Sequence, residues 1–160
     1  SSLVSVRLAD NRRMCVATPA YLAQHGTPQI PSDLLQHSCL TLSSDASQTR
    51  GWAFKVPPSD PAEGPEVTYL RPHGPLDCSD GQVLHGWCLA SMGIAWRSTW
   101  EVENDIRSGQ LVEVLAEFAA PPNGIYGVFP QRKHLPLRLR LWIDFLKHHY
   151  SLPATWQSAP

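Results

Sequence analysis

Asp77, Ser79, Asp80 and His85 form the densest run of side chains in this chain that could do chemistry. A hydroxyl, two carboxylates and an imidazole are the parts of a nucleophile with its base, or of a metal site. Their spacing fits a simpler role. Ser79 and Gln82 stand at capping-box separation. Val83, Leu84, Trp87 and Cys88 then recur at helical intervals. The run therefore reads as a helix N-cap followed by a solvated histidine. His148 and His149 fall at the end of a helix, where cations complement the dipole. His25, His37 and His134 fall in turns and read as surface residues. The four cysteines, Cys15, Cys39, Cys78 and Cys88, include no C-x-x-C pair, so no zinc ribbon or dithiol redox motif is present. Cys15, Cys39 and Cys88 lie in apolar runs and read as small buried hydrophobes of a reducing compartment.

No G-x-S-x-G elbow, phosphate loop, H-E-x-x-H or G-x-G-x-x-G occurs. Nothing assembles a base, a nucleophile and an orienting group, so the reading is non-catalytic, with no metal and no cofactor. Arg132, Lys133, His134, Arg138 and Arg140 form one basic run. No aromatic residues interleave for base stacking, and the run reads as a solvated loop and helix face. The helix N-termini capped by Thr18 and by Ser79 each present backbone N–H groups and a positive dipole end. A small carboxylate could dock at either, and ordinary capping accounts for both as well.

The elements that must position these groups alternate. Leu3, Val4, Val6 and Leu8 read as a strand, as does Arg13 to Ala17. Thr18 caps a short helix with Pro19 at its first position and Gly26 as its stop. Ser32 caps another through Leu34 and Leu35. Cys39 to Leu42 is a compact apolar strand. Gly51 to Val56 and Glu66 to Leu70 read as an antiparallel pair at a sheet edge. Between these two lies a connector bracketed by Pro57, Pro58, Pro61 and Pro65. The helix after Ser79 ends at Met92-Gly93 and feeds a buried strand, Ile94 to Trp96. Ser98 and Glu101 form a second capping box, and Gly109 ends that helix. Leu111 to Leu115 is a strand with Leu111, Glu113 and Leu115 alternating against Val112 and Val114. Pro121 and Pro122 mark a break, and Ile125 to Phe129 is a last strand. Pro136 opens a final helix with a wide apolar face of Leu137, Leu139, Leu141, Ile143, Phe145 and Leu146. Strands alternating with helices argue an α/β fold with a mixed sheet flanked by helices. Ligand sites in such folds lie at strand ends near helix N-termini.

The chain has 160 residues, 42% of them hydrophobic and 17% charged, with a formal net charge of -1. That length suits one domain, or one lobe and part of another. Near-neutral charge gives no electrostatic case for gripping nucleic acid directly. No signal segment opens the chain and no apolar run reaches the ~18 residues of a membrane span, so a cytoplasmic protein without membrane contact is expected.

The ordered string ATPAYLAQHGTPQIPSDLLQHSCL, LASMGIAWRSTW, DIRSGQLVEVL and PPNGIYGVFPQRKHLPLRLRLWIDFL resembles the effector-binding (substrate-binding) domain of LysR-type transcriptional regulators. The resemblance covers nearly the whole chain. It implies a type 2 periplasmic-binding-protein-like α/β fold of two lobes joined by crossing strands. A complete second lobe would run from about 16 to 125. Residues 1–15 and 126–160 would be remnants of the first lobe and the crossings. The implied function is non-catalytic sensing of a small organic, anionic effector. Effector contacts carried over from the family fall on Thr18, Ser43, Ser44, Ser79, Asp80, Gly81 and Ile125. Many relatives have Asn where Ser79 stands. The resemblance also implies self-association of the parent protein as a dimer or tetramer. DNA binding would reside in a winged helix-turn-helix outside this chain, which is expected to be truncated on its N-terminal side. A lobe of a transport-type solute-binding protein shares the fold and is the alternative expectation.

Overall fold

The structure, a computed structural model, describes residues 3–43, 51–56, 66–130 and 136–151. Ser44, the connector prolines Pro57, Pro58, Pro61 and Pro65, and Arg132, Lys133 and His134 lie outside the described residues. In chain order the strands and α-helices are β1 (Leu3–Asn11), β2 (Arg13–Ala17), α1 (Pro19–His25), β3 (Cys39–Leu42), β4 (Trp52–Val56), β5 (Glu66–Leu70), β6 (Asp77–Cys78), α2 (Gly81–Leu89), β7 (Ile94–Ser98), α3 (Thr99–Ser108), β8 (Val112–Val114), β9 (Asn123–Pro130) and α4 (Leu137–Ser151). Short 3-10 turns cover Pro31–Gln36 and Ala116–Phe118. The chain divides into two compact units: Arg13–Pro121, and Ser1–Arg12 together with Pro122–Pro160.

The larger unit is built on a five-stranded sheet in the order β6-β3-β7-β2-β8. β3 runs parallel to β6 and β7, while β2 is antiparallel to β7 and β8, so the sheet is mixed. Successive side chains of a strand face opposite sides, and the core follows that alternation. Cys15 and Ala17 of β2, Cys39 of β3 and Ile94 of β7 pack on one face with Tyr21, Leu34, Trp52 and Phe54. Met14, Val16, Leu40 and Ala95, the intervening residues, pack on the other face with Leu84 and Cys88 of α2 and Val102 of α3. β4 and β5 pair antiparallel as a separate two-stranded sheet, with Phe54 buried in the first core cluster and bridged to Ala119.

Local signals explain most boundaries. The Thr18 hydroxyl accepts from Tyr21 N–H at 3.2 Å, and Pro19 opens α1. Gly26 and Gly109 end α1 and α3 at φ of 84° and 76°, a region that favours glycine. Ser98 caps α3, and its own N–H donates to the Glu101 carboxylate at 2.9 Å.

Three expected details differ. The 3-10 turn is entered at Ile30, not Ser32, because the Asp33 carboxylate reaches back to accept from the N–H groups of Gln29 and Ile30 at 2.8 and 3.1 Å. The strand expected at Leu111–Leu115 is only Val112–Val114, and the expected alternation holds for Leu111 against Val114 but stops at Leu115. Leu111 and Val114 pack into opposite core clusters, and Leu115 turns out of the strand at φ 57°. The wide apolar face of α4 is not buried: Ile143 is 8% exposed, whereas Leu137, Leu141, Trp142 and Phe145 are all more than half exposed. In the smaller unit α4 lies against a two-stranded ribbon, β1 with β9, running from Leu3↔Pro130 to Asn11↔Asn123. A ribbon of two strands covers one stripe of a helix and no more.

Candidate functional site

The parallel strands β3 and β6 end side by side: Leu42 pairs with Cys78, and Ser43 N–H donates to the Cys78 carbonyl at 2.7 Å. The chain leaves β6 through Ser79 and Asp80 directly into α2. Ser43, Ser79, Asp80 and Gly81 are therefore gathered at the C-terminal ends of these strands, which is where a parallel α/β sheet places a ligand.

The cap is Asp80, not Ser79. The Asp80 Oδ1 accepts from Gln82 N–H at 2.7 Å and Val83 N–H at 3.1 Å. The helix consequently begins one residue later than capping-box spacing predicts. A carboxylate at this position also answers the positive helix end, which a serine hydroxyl cannot do. Ser79 is exposed beside the cap. His85 is not a solvated member of this group. It pairs with Asp105 at 3.1 Å, both side chains about one-fifth exposed, and so ties α2 to α3.

Thr18 is elsewhere. β2 is antiparallel to β7, so the end of β2 lies beside the start of β7. There the buried Thr18 hydroxyl meets Ser91 Oγ at 2.6 Å and caps α1. The fold thus places Thr18 at the opposite strand ends from Ser43 and Gly81. Ile125 belongs to the other compact unit, where it pairs with Ala9 across β1 and β9.

Residues that the motif reading does not nominate complete the edge. A pocket of about 220 Å³ is lined by Thr41, Leu42, Gly51, Trp52, Arg71, Pro72 and His73. Arg13 lies over the Trp96 ring at 4.7 Å, and Trp96 stacks with Trp52. Arg97, on β7, is 5% exposed and donates from Nη2 to Glu101 Oε1 at 2.6 Å. Its guanidinium lies against the first residue of α2: a Cβ at Gly81 would stand 3.0 Å from Nη2 and 3.3 Å from Nη1. The signal for Arg97 was present as a charge inside the apolar strand IAWRS, since arginines are seldom fully buried unless paired. Arg13, Arg71 and Arg97 bring cations to this edge, balanced by the carboxylates of Asp77, Asp80 and Glu101.

The histidines and thiols near the core are structural. Tyr21 Oη lies 3.2 Å from His37 Nδ1 and accepts from Ser38 N–H at 3.0 Å, so His37 is half-buried instead of a plain surface residue. Burial, and then the neighbouring His25, lower the pKa of His37. All four cysteines are free thiols. Burial pushes Cys39 and Cys88 up to about 12 and raises Cys15 well above its ordinary value. Among the described residues, no group of three or more His, Cys, Asp or Glu is placed to hold a metal ion. Also among them, no helix is long and apolar enough to cross a membrane.

With this geometry in place, the chain can be set beside known proteins. Residues 1–151 match the LysR substrate binding domain family. The HTH-type transcriptional regulator DmlR of Escherichia coli (strain K12) is 35% identical over 94% of this chain and 46% of its own length. CrgA of Neisseria meningitidis serogroup C is 35% identical over 91% of the chain and 46% of its own. The chain spans about half the length of the curated relatives it matches. Among solved structures, the regulatory domain of Neisseria meningitidis CrgA superposes with a TM-score of 0.70 at 35% identity, covering 92% of this chain and 69% of that one. A second CrgA structure gives 0.72 at 32% identity, covering 95% and 49%.

Proposed function

The chain belongs to the LysR substrate-binding domain family, and on that premise we propose that it senses a small organic, anionic effector at the edge formed by Ser43, Ser79, Asp80 and Gly81. Its fold is the periplasmic-binding-protein-like α/β fold of LysR regulatory domains, and its domain type is the effector-binding domain of LysR-type transcriptional regulators. The relatives named above are transcriptional regulators, which favours this reading over a transport-type solute-binding lobe. The unit Arg13–Pro121 corresponds to the second lobe, and the smaller unit carries part of the first, with Ile125 on a crossing strand. The parent protein binds DNA through a winged helix-turn-helix outside this chain, self-associates, and works in the cytoplasm. Effector binding shifts its lobe closure or oligomeric arrangement.

The observation that carries the site is the convergence of the β3 and β6 ends with the α2 N-terminus, fixed by the Ser43 to Cys78 hydrogen bond. The edge offers backbone N–H donors and arginine side chains, which suits the binding of a small polar ligand. Thr18 serves its helix cap instead. Thermal denaturation against a panel of small organic acids and uncharged analogues tests the reading. A ligand at 100 times its Kd stabilises a single-site protein by about 2.7 kcal/mol, and Ser43→Ala or Ser79→Ala should each weaken its binding by about 1 kcal/mol. A bound compound whose affinity is unchanged in both variants would place the effector site elsewhere.

A further inference from the structure

We infer that Arg97 is the charged anchor of an oxyanion subsite at the start of α2, and so makes this sensor selective for effectors carrying a carboxylate or phosphate group. The inference rests on the effector-site reading above and adds to it the residue that sets ligand charge. Arg97 is a conspicuous expense for the fold as it stands. Its guanidinium carries five N–H donors in a fixed fork, yet it is 5% exposed and bonds among the described residues only to Glu101 Oε1. Its Nε is buried without a hydrogen-bond partner. Glu101 is shared, since its other oxygen accepts from Ser98 N–H at 2.9 Å. The guanidinium also lies against the positive end of the nine-residue helix α2, where the Asp80 cap and Glu101 supply the nearby negative charge. Asp80 meets the needs of Gln82 and Val83 at that helix end, but its Oδ1 bonds neither Gly81 N–H nor Arg97.

Gly81 is what lets the two positive groups converge. With no side chain at the first helical position, the guanidinium occupies space beside which a Cβ would stand only 3.0 Å from Nη2. An oxyanion entering at the strand ends would take hydrogen bonds from the Arg97 fork and from Gly81 N–H together, a charge-assisted pairing suited to carboxylate or phosphate. Arg97 thereby determines which ligand charge is admitted, while Ser43 and Ser79 supply neutral contacts.

The test uses the 15N-labelled 160-residue chain, titrated separately with acetate and with inorganic phosphate at constant ionic strength. The Arg97 Nε–H and Gly81 amide resonances are followed. The expected result is saturable movement of both, with binding weakened at least about tenfold in Arg97→Met, since a lost charged hydrogen bond costs that much or more. Saturation by acetate points to carboxylate effectors and saturation by phosphate alone to phosphorylated ones; either supports the subsite. Because Arg97 is buried, Gly81→Ala provides an independent variant. It leaves Arg97 in the chain but crowds the guanidinium away from the helix end, and it should also weaken binding. Two results overturn the inference: no saturable movement in the wild-type chain, or equal affinity in the wild type and both variants. If uncharged compounds still bind at Ser43 and Ser79 in the thermal panel, the anchor is wrong while the effector site stands. If nothing binds there, the site itself is wrong.

Discussion

Burial decides which thiols of this chain can react. Cys39 and Cys88, with pKa near 12, and Cys15, also raised, are held as thiols at neutral pH, and the thiolate is the reactive form. Cys78 is partly exposed, its Sγ donating to the Asp80 carbonyl at 3.2 Å. A disulfide reagent at pH 7 should therefore modify Cys78 alone in the native chain, and all four cysteines only after unfolding. Mass spectrometry of the labelled chain checks this. His37 provides a pH prediction. Its folded pKa lies below 6.5, so the unfolded chain binds the proton more tightly. Stability contributed by neutral His37 is complete above pH 6.5 and is lost as pH falls through the lowered folded pKa. His37→Gln should flatten denaturant-measured stability over that window, whereas an unchanged slope would remove His37 as its source. Single residues were unevenly legible in the sequence. The buried cysteines followed from their apolar neighbours. His37 did not, because its partner Tyr21 is brought to it by tertiary packing.

At the scale of elements, α2 is the one whose details matter most to the site. Asp80→Ala removes the acceptor for two first-turn N–H groups and should cost about 1 kcal/mol, while Ser79→Ala should leave stability nearly unchanged. Urea denaturation of the two variants separates Asp80 from Ser79 as the cap. Leu84→Ala empties a fully packed position under the same helix and should cost about 2–5 kcal/mol. The apolar runs of β2, β3 and β7 were readable as buried strands, and the α1 and α3 boundaries from Thr18, Gly26, Ser98 and Gly109. The cap of α2 was misplaced by one residue because Ser79 and Asp80 are adjacent and either can cap; the route of the chain out of β6 decides between them. The α4 face was overread because periodicity reports an apolar stripe without reporting what lies against it. Arg97 was missed for a related reason. The charge inside IAWRS marked it as unusual, but its place beside the start of α2 is a contact between segments that no local pattern encodes.

For the molecule as a whole, one edge of the Arg13–Pro121 unit is expected to recognise a small anionic molecule without turnover. The string of strand, turn and helix signals made the family legible. Which of the candidate residues share a strand end required the sheet order, and that order separates Thr18 from Ser43 and Gly81. The most direct measurement is an amide chemical-shift map of the chain against the first small organic acid found to stabilise it. Shifts are expected to concentrate at Ser43, Ser79, Asp80, Gly81 and Arg97, with Thr18 and Ser91 little moved. Shifts centred on Thr18 and Ser91, or on α4 and β1, with the β3 and β6 ends unaffected, would place the effector site elsewhere.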